Sequence, residues 1–123
     1  MKSVMLYLIP ILAIGLFLLL RGNSMFASSS ASAPLNPDTF RAVMQEGGLL
    51  VDVRTPGEFA EGHMAGAVNI PLDRIDGAQA QLGATDRPIV VYCRSGNRSG
   101  QATRVLAGMG YGRVYDIQVA RNW

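Results

Sequence analysis

Apolar positions along the chain follow two patterns, short continuous runs and runs spaced by three or four residues. Continuous runs are typical of strands buried on both faces of a sheet, and they occupy residues 49–54, 67–72, 89–93 and 114–117. The helical spacing lies before the first run and between the later ones, in residues 37–46, 56–61, 75–82 and 102–109. Strands that alternate with helices predict an α/β fold with a parallel sheet.

Local signals indicate where the first two helices begin. Asn36 can cap a helix that has Pro37 at its first position. The run Thr55-Pro56-Gly57-Glu58 predicts a capping box, in which Thr55 caps the helix and Glu58 reaches back. We expect Phe59 to anchor this second, short helix to the core.

An uncharged apolar run covers residues 4–20, between Lys2 and Arg21. It predicts a transmembrane anchor or signal segment over residues 1–22, followed by a flexible Ser/Ala-rich linker over 23–34 and the domain over 35–123. Arg21 and Asn23 directly after the run favour a retained anchor. The slight positive excess before the run favours an exported domain, on the periplasmic side of a bacterial inner membrane. The alternative is secretion after cleavage near residue 31.

Charge and composition exclude several classes of function. The formal net charge of +2 corresponds to Lys2 and Arg21, since residues 34–123 carry nine Arg and nine Asp or Glu. No polybasic face remains for nucleic-acid binding. A single cysteine, Cys93, excludes an internal disulfide, and with the single histidine, His63, it makes no metal-ligand set. We therefore expect no metal and no cofactor.

The third strand ends at Cys93, and a short loop of small and cationic residues leads from it into a helix. Amides of such a loop and the helix dipole can hold an anion, and we expect Arg94 and Arg98 to lower the thiol pKa further. Because the thiolate is the reactive form, this pattern predicts a nucleophile. The alternative is an inert core thiol.

Three segments in this order resemble the signatures of rhodanese-like sulfurtransferases: residues 51–59 (VDVRTPGEF), 62–71 (GHMAGAVNIP) and 93–99 (CRSGNRS). The resemblance implies a five-stranded parallel sheet flanked by helices. It also implies that Cys93 takes a sulfane sulfur from a small anionic donor such as thiosulfate. The resulting persulfide would pass the sulfur to a thiol or to cyanide.

Roles for other residues follow from the resemblance and from their chemistry. The arginines and amides of the loop are candidates to bind the donor, through Arg94, Ser95, Gly96, Asn97, Arg98 and Ser99. Asp52 and Arg54 are expected to form an ion pair that supports the site. His63 could pair with Cys93 as a base, but in the family's signature this histidine is structural.

Two other functions remain open. Phosphatases and arsenate reductases of this fold use Cys-x5-Arg spacing, and the loop from Cys93 to Arg98 is one residue shorter. A non-catalytic binding module is the other alternative, although such modules often lose the cysteine. The C-terminus departs from the family pattern, because residues 118–123 lack the glycine-rich turn and most of a closing helix. We expect Trp123 to cover part of the exposed edge.

Overall fold

The structure is a computed structural model that describes residues 35–123. The anchor or signal segment expected over 1–22 and the linker expected over 23–34 lie outside the described residues. Within 35–123 no helix has the length and the apolar character needed to cross a bilayer.

Four helices, one 3₁₀ helix and four strands make up the described domain. In chain order they are α1 (Pro37–Gln45), β1 (Leu49–Asp52), α2 (Pro56–Glu61), β2 (Val68–Asn69), the 3₁₀ helix (Leu72–Gly77), α3 (Gln79–Leu82), β3 (Ile89–Cys93), α4 (Asn97–Gly108) and β4 (Val114–Val119). Each strand falls on one of the apolar runs, but only β3 has the predicted bounds; β1 ends two residues earlier, β2 covers two residues of the predicted six, and β4 ends two residues later. The helix expected over 75–82 is instead a 3₁₀ helix followed by the single turn of α3.

The four strands form one parallel sheet in the order β2-β1-β3-β4. The expectation of a five-stranded sheet is therefore wrong for residues 35–123. Apolar runs within this range supply four strands, and residues 120–123 after β4 form neither strand nor helix. β1 and β3 are the two central strands, so each is paired with a neighbouring strand on both sides.

The sheet separates two apolar layers. On one face, α1 packs through Val43 against Leu50, Val90 and Tyr92. On the other face, the 3₁₀ helix, α3 and α4 cover the alternate strand residues; this layer contains Val51, Val53, Ile75, Leu82, Ile89, Val91, Cys93, Ala102 and Leu106. Side chains of a strand point alternately to its two faces, so Tyr92 and Cys93 belong to opposite layers.

Both predicted helix starts are confirmed. The Asn36 side chain accepts a hydrogen bond from the Thr39 amide at 2.9 Å, and Thr55 and Glu58 form the reciprocal capping box of α2. No residue of α2 is buried, so Phe59 anchors this helix less deeply than expected. Its ring instead stacks on His63, with 3.6 Å between the ring centroids.

The end of β4 is irregular. A bulge shifts the register so that Val91 pairs with Asp116 and Tyr92 with Gln118, and Gln118 has a left-handed backbone at φ +67°. The closing helix of the family pattern is absent from residues 120–123. Trp123 packs against Phe40 of α1, with 5.3 Å between the ring centroids.

Candidate active site

Cys93 is the last residue of β3, and α4 begins four residues later at Asn97. β3 lies between β1 and β4, so the cysteine is at the centre of the carboxyl edge of the sheet. Ligands of open parallel sheets bind at this edge, where the connections leave to opposite sides. The topology thus brings the loop after β3 next to the segment that follows β1.

Three hydrogen-bonding groups surround the Cys93 sulfur. The Gly96 amide donates to Sγ at 3.0 Å and the Ser99 amide at 3.4 Å. The thiol donates to Ser99 Oγ at 3.6 Å, and this hydroxyl donates to the Gly96 carbonyl at 3.1 Å. The loop is therefore folded around the sulfur atom.

Gly96 permits this close turn. Its φ of +96° is a left-handed conformation that favours glycine. A Cβ at this position would also lie 3.2 Å from Cβ of Gln118, at the irregular end of β4. The family resemblance implies that Gly96 helps to bind the sulfur donor, and in the structure its amide contacts the Cys93 sulfur directly.

Burial raises the pKa of the Cys93 thiol, but its hydrogen bond with the Ser99 hydroxyl and the hydrogen bonds donated by the amides of Ser99, Gly96 and Ser95 lower it. The hydrogen bonds outweigh the effect of burial, so the pKa of Cys93 lies below its ordinary value. The residue is only 2% exposed, as an inert core thiol would be. An inert thiol, however, would not have amides directed at its sulfur, and the site therefore stabilises a thiolate.

The two loop arginines differ in their surroundings. Arg94 is exposed, whereas Arg98 donates from Nη1 to Glu58 Oε1 at 2.6 Å and from Nη2 to Oε2 at 2.9 Å. Ser95 and Asn97 are exposed, and the Asn97 side chain accepts a hydrogen bond from Gln101. Of the loop residues predicted to bind the sulfur donor, Gly96 and Ser99 form hydrogen bonds with Cys93. Arg98 instead binds the carboxylate of Glu58, which the sequence predicted only as part of a helix cap.

Asp52 and Arg54 form the expected ion pair at the end of β1. Arg54 Nε lies 3.0 Å from each carboxylate oxygen and Nη2 lies 2.6 Å from Oδ2, while Asp52 is fully buried. The hydrogen bonds that Arg54 donates to the Asp52 carboxylate raise the pKa of Arg54. Arg54 also donates to the Gly62 carbonyl at 2.6 Å, so the pair ties β1 to the end of α2.

His63 lies in the same supporting region. Its Nδ1 is 2.9 Å from the Phe59 carbonyl, and its ring stacks on the Phe59 ring. In residues 35–123 no hydrogen bond joins His63 to Cys93. This geometry fits the structural role that the resemblance implies.

Sequence reasoning missed two features of the site. The first is the contact between Glu58 and Arg98, which are 40 residues apart and share no local pattern. The second is a cavity of about 320 Å³ beside the loop, lined by Val53, Thr55, Pro71, Leu72, Asp73 and Arg98. Only the chain's topology brings these residues together, so spacing along the sequence could not have identified them.

Fold and site together define a class: parallel α/β domains that hold a stabilised cysteine in the loop between a central strand and the following helix. The family model for the rhodanese-like domain matches residues 36–119. The chain belongs to the rhodanese-like domain family.

Individual relatives agree with this assignment. A sulfurtransferase of Allochromatium vinosum is 44% identical over 70 residues, which are 57% of this chain and 64% of the relative. Thiosulfate sulfurtransferase GlpE of Pseudomonas entomophila is 37% identical over 84 residues, 68% of this chain and 75% of the relative. A solved structure described as a rhodanese with anions from E. coli is 31% identical at a TM-score of 0.58, covering 62% of this chain and 91% of that one. The chain thus spans less than two thirds of the length of the Allochromatium relative.

Proposed function

We propose that this protein is a rhodanese-type sulfurtransferase that moves a sulfane sulfur from a small anionic donor to a thiol or cyanide through a Cys93 persulfide. The observation that carries the proposal is the pair of amides that donate hydrogen bonds to Cys93 Sγ, that of Gly96 at 3.0 Å and that of Ser99 at 3.4 Å. They stabilise negative charge on the thiol sulfur. The two relatives that are named sulfurtransferases support the same activity.

The residues supply what the chemistry needs. The Cys93 thiolate attacks the outer sulfur of a thiosulfate-like donor; the Sγ–S bond forms, the donor's S–S bond breaks, and sulfite leaves with the bonding electron pair. The product is a persulfide anion, and no proton is transferred. A thiolate or cyanide then attacks the outer sulfur of the persulfide and releases the Cys93 thiolate. A base is not required once the thiolate has formed, and in residues 35–123 His63 makes its hydrogen bond to the Phe59 carbonyl rather than to Cys93.

The size of the site favours sulfur over phosphate. Cys93 is almost enclosed, and the loop closes on Sγ within seven residues, from Cys93 to Ser99. The persulfide leaves a single sulfur atom on Cys93, which needs less room inside the loop than the tetrahedral phosphoryl group that a phosphatase would leave on its cysteine. The nearby exposed Arg94 and the amides of the loop are the groups proposed to hold the donor.

The apolar run over residues 4–20 supports a further proposal, that the chain is anchored in a membrane and its domain is exported. A span of this composition is longer than most signal-peptide cores. Secretion after cleavage near residue 31 is the alternative.

The test of the activity is thiocyanate formation from thiosulfate and cyanide by the purified full chain. We expect turnover by the wild type and none by Cys93→Ser, because serine keeps the size of the side chain but forms no persulfide. Circular dichroism of both proteins controls for folding. A folded wild type without turnover for any sulfane donor would contradict the proposal and favour a binding module.

A further inference from the structure

The ion pair between Arg98 and Glu58 links the active-site loop to another element. Arg98 is the second residue of α4, and its two terminal nitrogens contact both carboxylate oxygens of Glu58 in α2. The side chains of Arg98 and Glu58 are 32% and 23% exposed. Both terminal nitrogens of Arg98 bind Glu58. The edge of the guanidinium that could bind another oxyanion in the same bidentate way is therefore already occupied.

Glu58 is itself fixed in place. Its Oε1 accepts hydrogen bonds from the Thr55 amide at 3.2 Å and from the Thr55 hydroxyl at 3.1 Å. The hydrogen bond from Arg98, with further help from Thr55, lowers the pKa of Glu58 to about 2. The carboxylate therefore stays charged at any pH at which the protein would act.

The charge of Arg98 interacts with that of the Cys93 thiolate. Attraction from Cys93 contributes to the raised pKa of Arg98, after the larger effect of Glu58. The same guanidinium also lines the cavity beside the loop. Arg98 therefore binds a fixed carboxylate, lines the cavity beside the loop and interacts electrostatically with Cys93.

We propose that Glu58 competes with the sulfur donor for the guanidinium of Arg98 and thereby biases the site against doubly charged donors. This inference rests on the proposed sulfur transfer. While the pair is closed, the loop offers amides and the exposed Arg94, which suit a donor of single charge such as a thiol persulfide. A dianion such as thiosulfate must either bind without Arg98 or separate the pair. Glu58 acts through Arg98 and is a specificity-determining residue, not a catalytic one.

The Glu58→Gln variant isolates the charge. Glutamine at this position keeps both reciprocal bonds of a capping box, so α2 retains its start. We expect the KM for thiosulfate to fall about two- to fivefold, the range typical of a half-exposed ion pair, because Arg98 becomes free for the donor. The KM for a singly charged persulfide donor should change less. Adding Arg98→Ala to Glu58→Gln should raise the KM for thiosulfate again.

Alkylation of Cys93 provides a readout that does not depend on sulfur transfer. Iodoacetate is an anion and iodoacetamide is neutral, so the ratio of their rates measures how strongly the site attracts negative charge. We expect Glu58→Gln to raise this ratio about two- to fivefold. Glu61→Gln is the matched control, since it removes an exposed carboxylate of the same helix. Thr55→Ala controls for any loss of the cap, because it leaves the charge of Glu58 in place.

The outcomes separate the two proposals. If Glu58→Gln matches the wild type and Glu61→Gln in both the KM and the alkylation ratio, the inference is wrong even if sulfur transfer is present. If Arg98→Ala has no effect in the Glu58→Gln background, Arg98 does not bind the donor and the inference is equally wrong. If the wild type transfers no sulfur, the proposed function fails, while the alkylation ratio still decides whether Glu58 controls the charge at Cys93.

Discussion

The reactivity of Cys93 depends on a few atoms within about one hydrogen-bond length of its sulfur. Two of these contacts are hydrogen bonds donated by backbone amides, which no side-chain substitution removes. The third is with the Ser99 hydroxyl, which accepts from the thiol and donates to the Gly96 carbonyl. When the thiol loses its proton, this hydroxyl can turn and donate to the thiolate instead.

We predict that Ser99→Ala raises the pKa of Cys93 toward its ordinary value, because the hydroxyl that helps to hold the thiolate is gone. The kcat/KM for sulfur transfer near neutral pH should fall about tenfold, as expected for loss of one hydrogen bond to a charged group. The pH dependence of iodoacetamide labelling measures the pKa directly.

Ser95→Ala is the matched control for this prediction. Ser95 is exposed in the same loop, and the substitution keeps its backbone amide. It should leave the labelling profile of Cys93 unchanged. A Ser99→Ala profile that overlaps the wild type would show that the amides alone set the pKa.

At the scale of elements, β1 and β3 are joined by a buried polar network on the α1 side of the sheet. The Tyr92 hydroxyl accepts a hydrogen bond from the Met64 amide at 3.0 Å, and the ring lies 5.7 Å from the Arg54 guanidinium carbon. Burial raises the pKa of Tyr92, and Asp52 raises it further. The network connects β3, the end of β1 and the segment before β2.

We predict that Tyr92→Phe lowers the free energy of unfolding by about 1–3 kcal/mol, because the Met64 amide loses its partner in a buried place. Tyr115→Phe makes the same chemical change on β4 at a half-buried residue, and it should cost less than about 0.5 kcal/mol. Urea titration of both variants measures the difference. Equal losses for the two tyrosines would contradict the role assigned to the buried hydroxyl.

Elements were predictable where their signals are local. The caps at Asn36 and Thr55 and the apolar run of β3 each depend on a few adjacent residues, and all three were found as expected. β2 was expected over 67–72 but covers only Val68–Asn69, because the 3₁₀ helix already begins at Leu72. The expectation of five strands came from the resemblance rather than from the apolar runs, and it is wrong for residues 35–123.

The candidate site was predictable only in part. Cys93 follows from a strand that ends at a glycine-containing loop, and the pairing of Asp52 with Arg54 follows from their positions at one strand end. The contact of Arg98 with Glu58 depends on how α2 and α4 meet in space. No pattern along the chain reports that distance, so the sequence reading treated Arg98 as free to bind a donor.

At the scale of the whole molecule, the proposed anchor over residues 4–20 would hold the domain at a membrane surface. We predict that alkaline phosphatase fused after Trp123 is active in a bacterial host, because this enzyme folds only after export. The same fusion without residues 4–20 should be inactive. An inactive full-length fusion at normal expression would contradict export of the domain.

The central claim is that Cys93 carries sulfur covalently, and intact-mass spectrometry of the full chain after exposure to thiosulfate tests it most directly. We predict an adduct heavier by one sulfur atom, about 32 Da, that maps to Cys93 and disappears on addition of cyanide. Cys93→Ser should show no adduct under the same conditions. An unmodified wild-type mass, or an adduct that cyanide does not remove, would contradict the account.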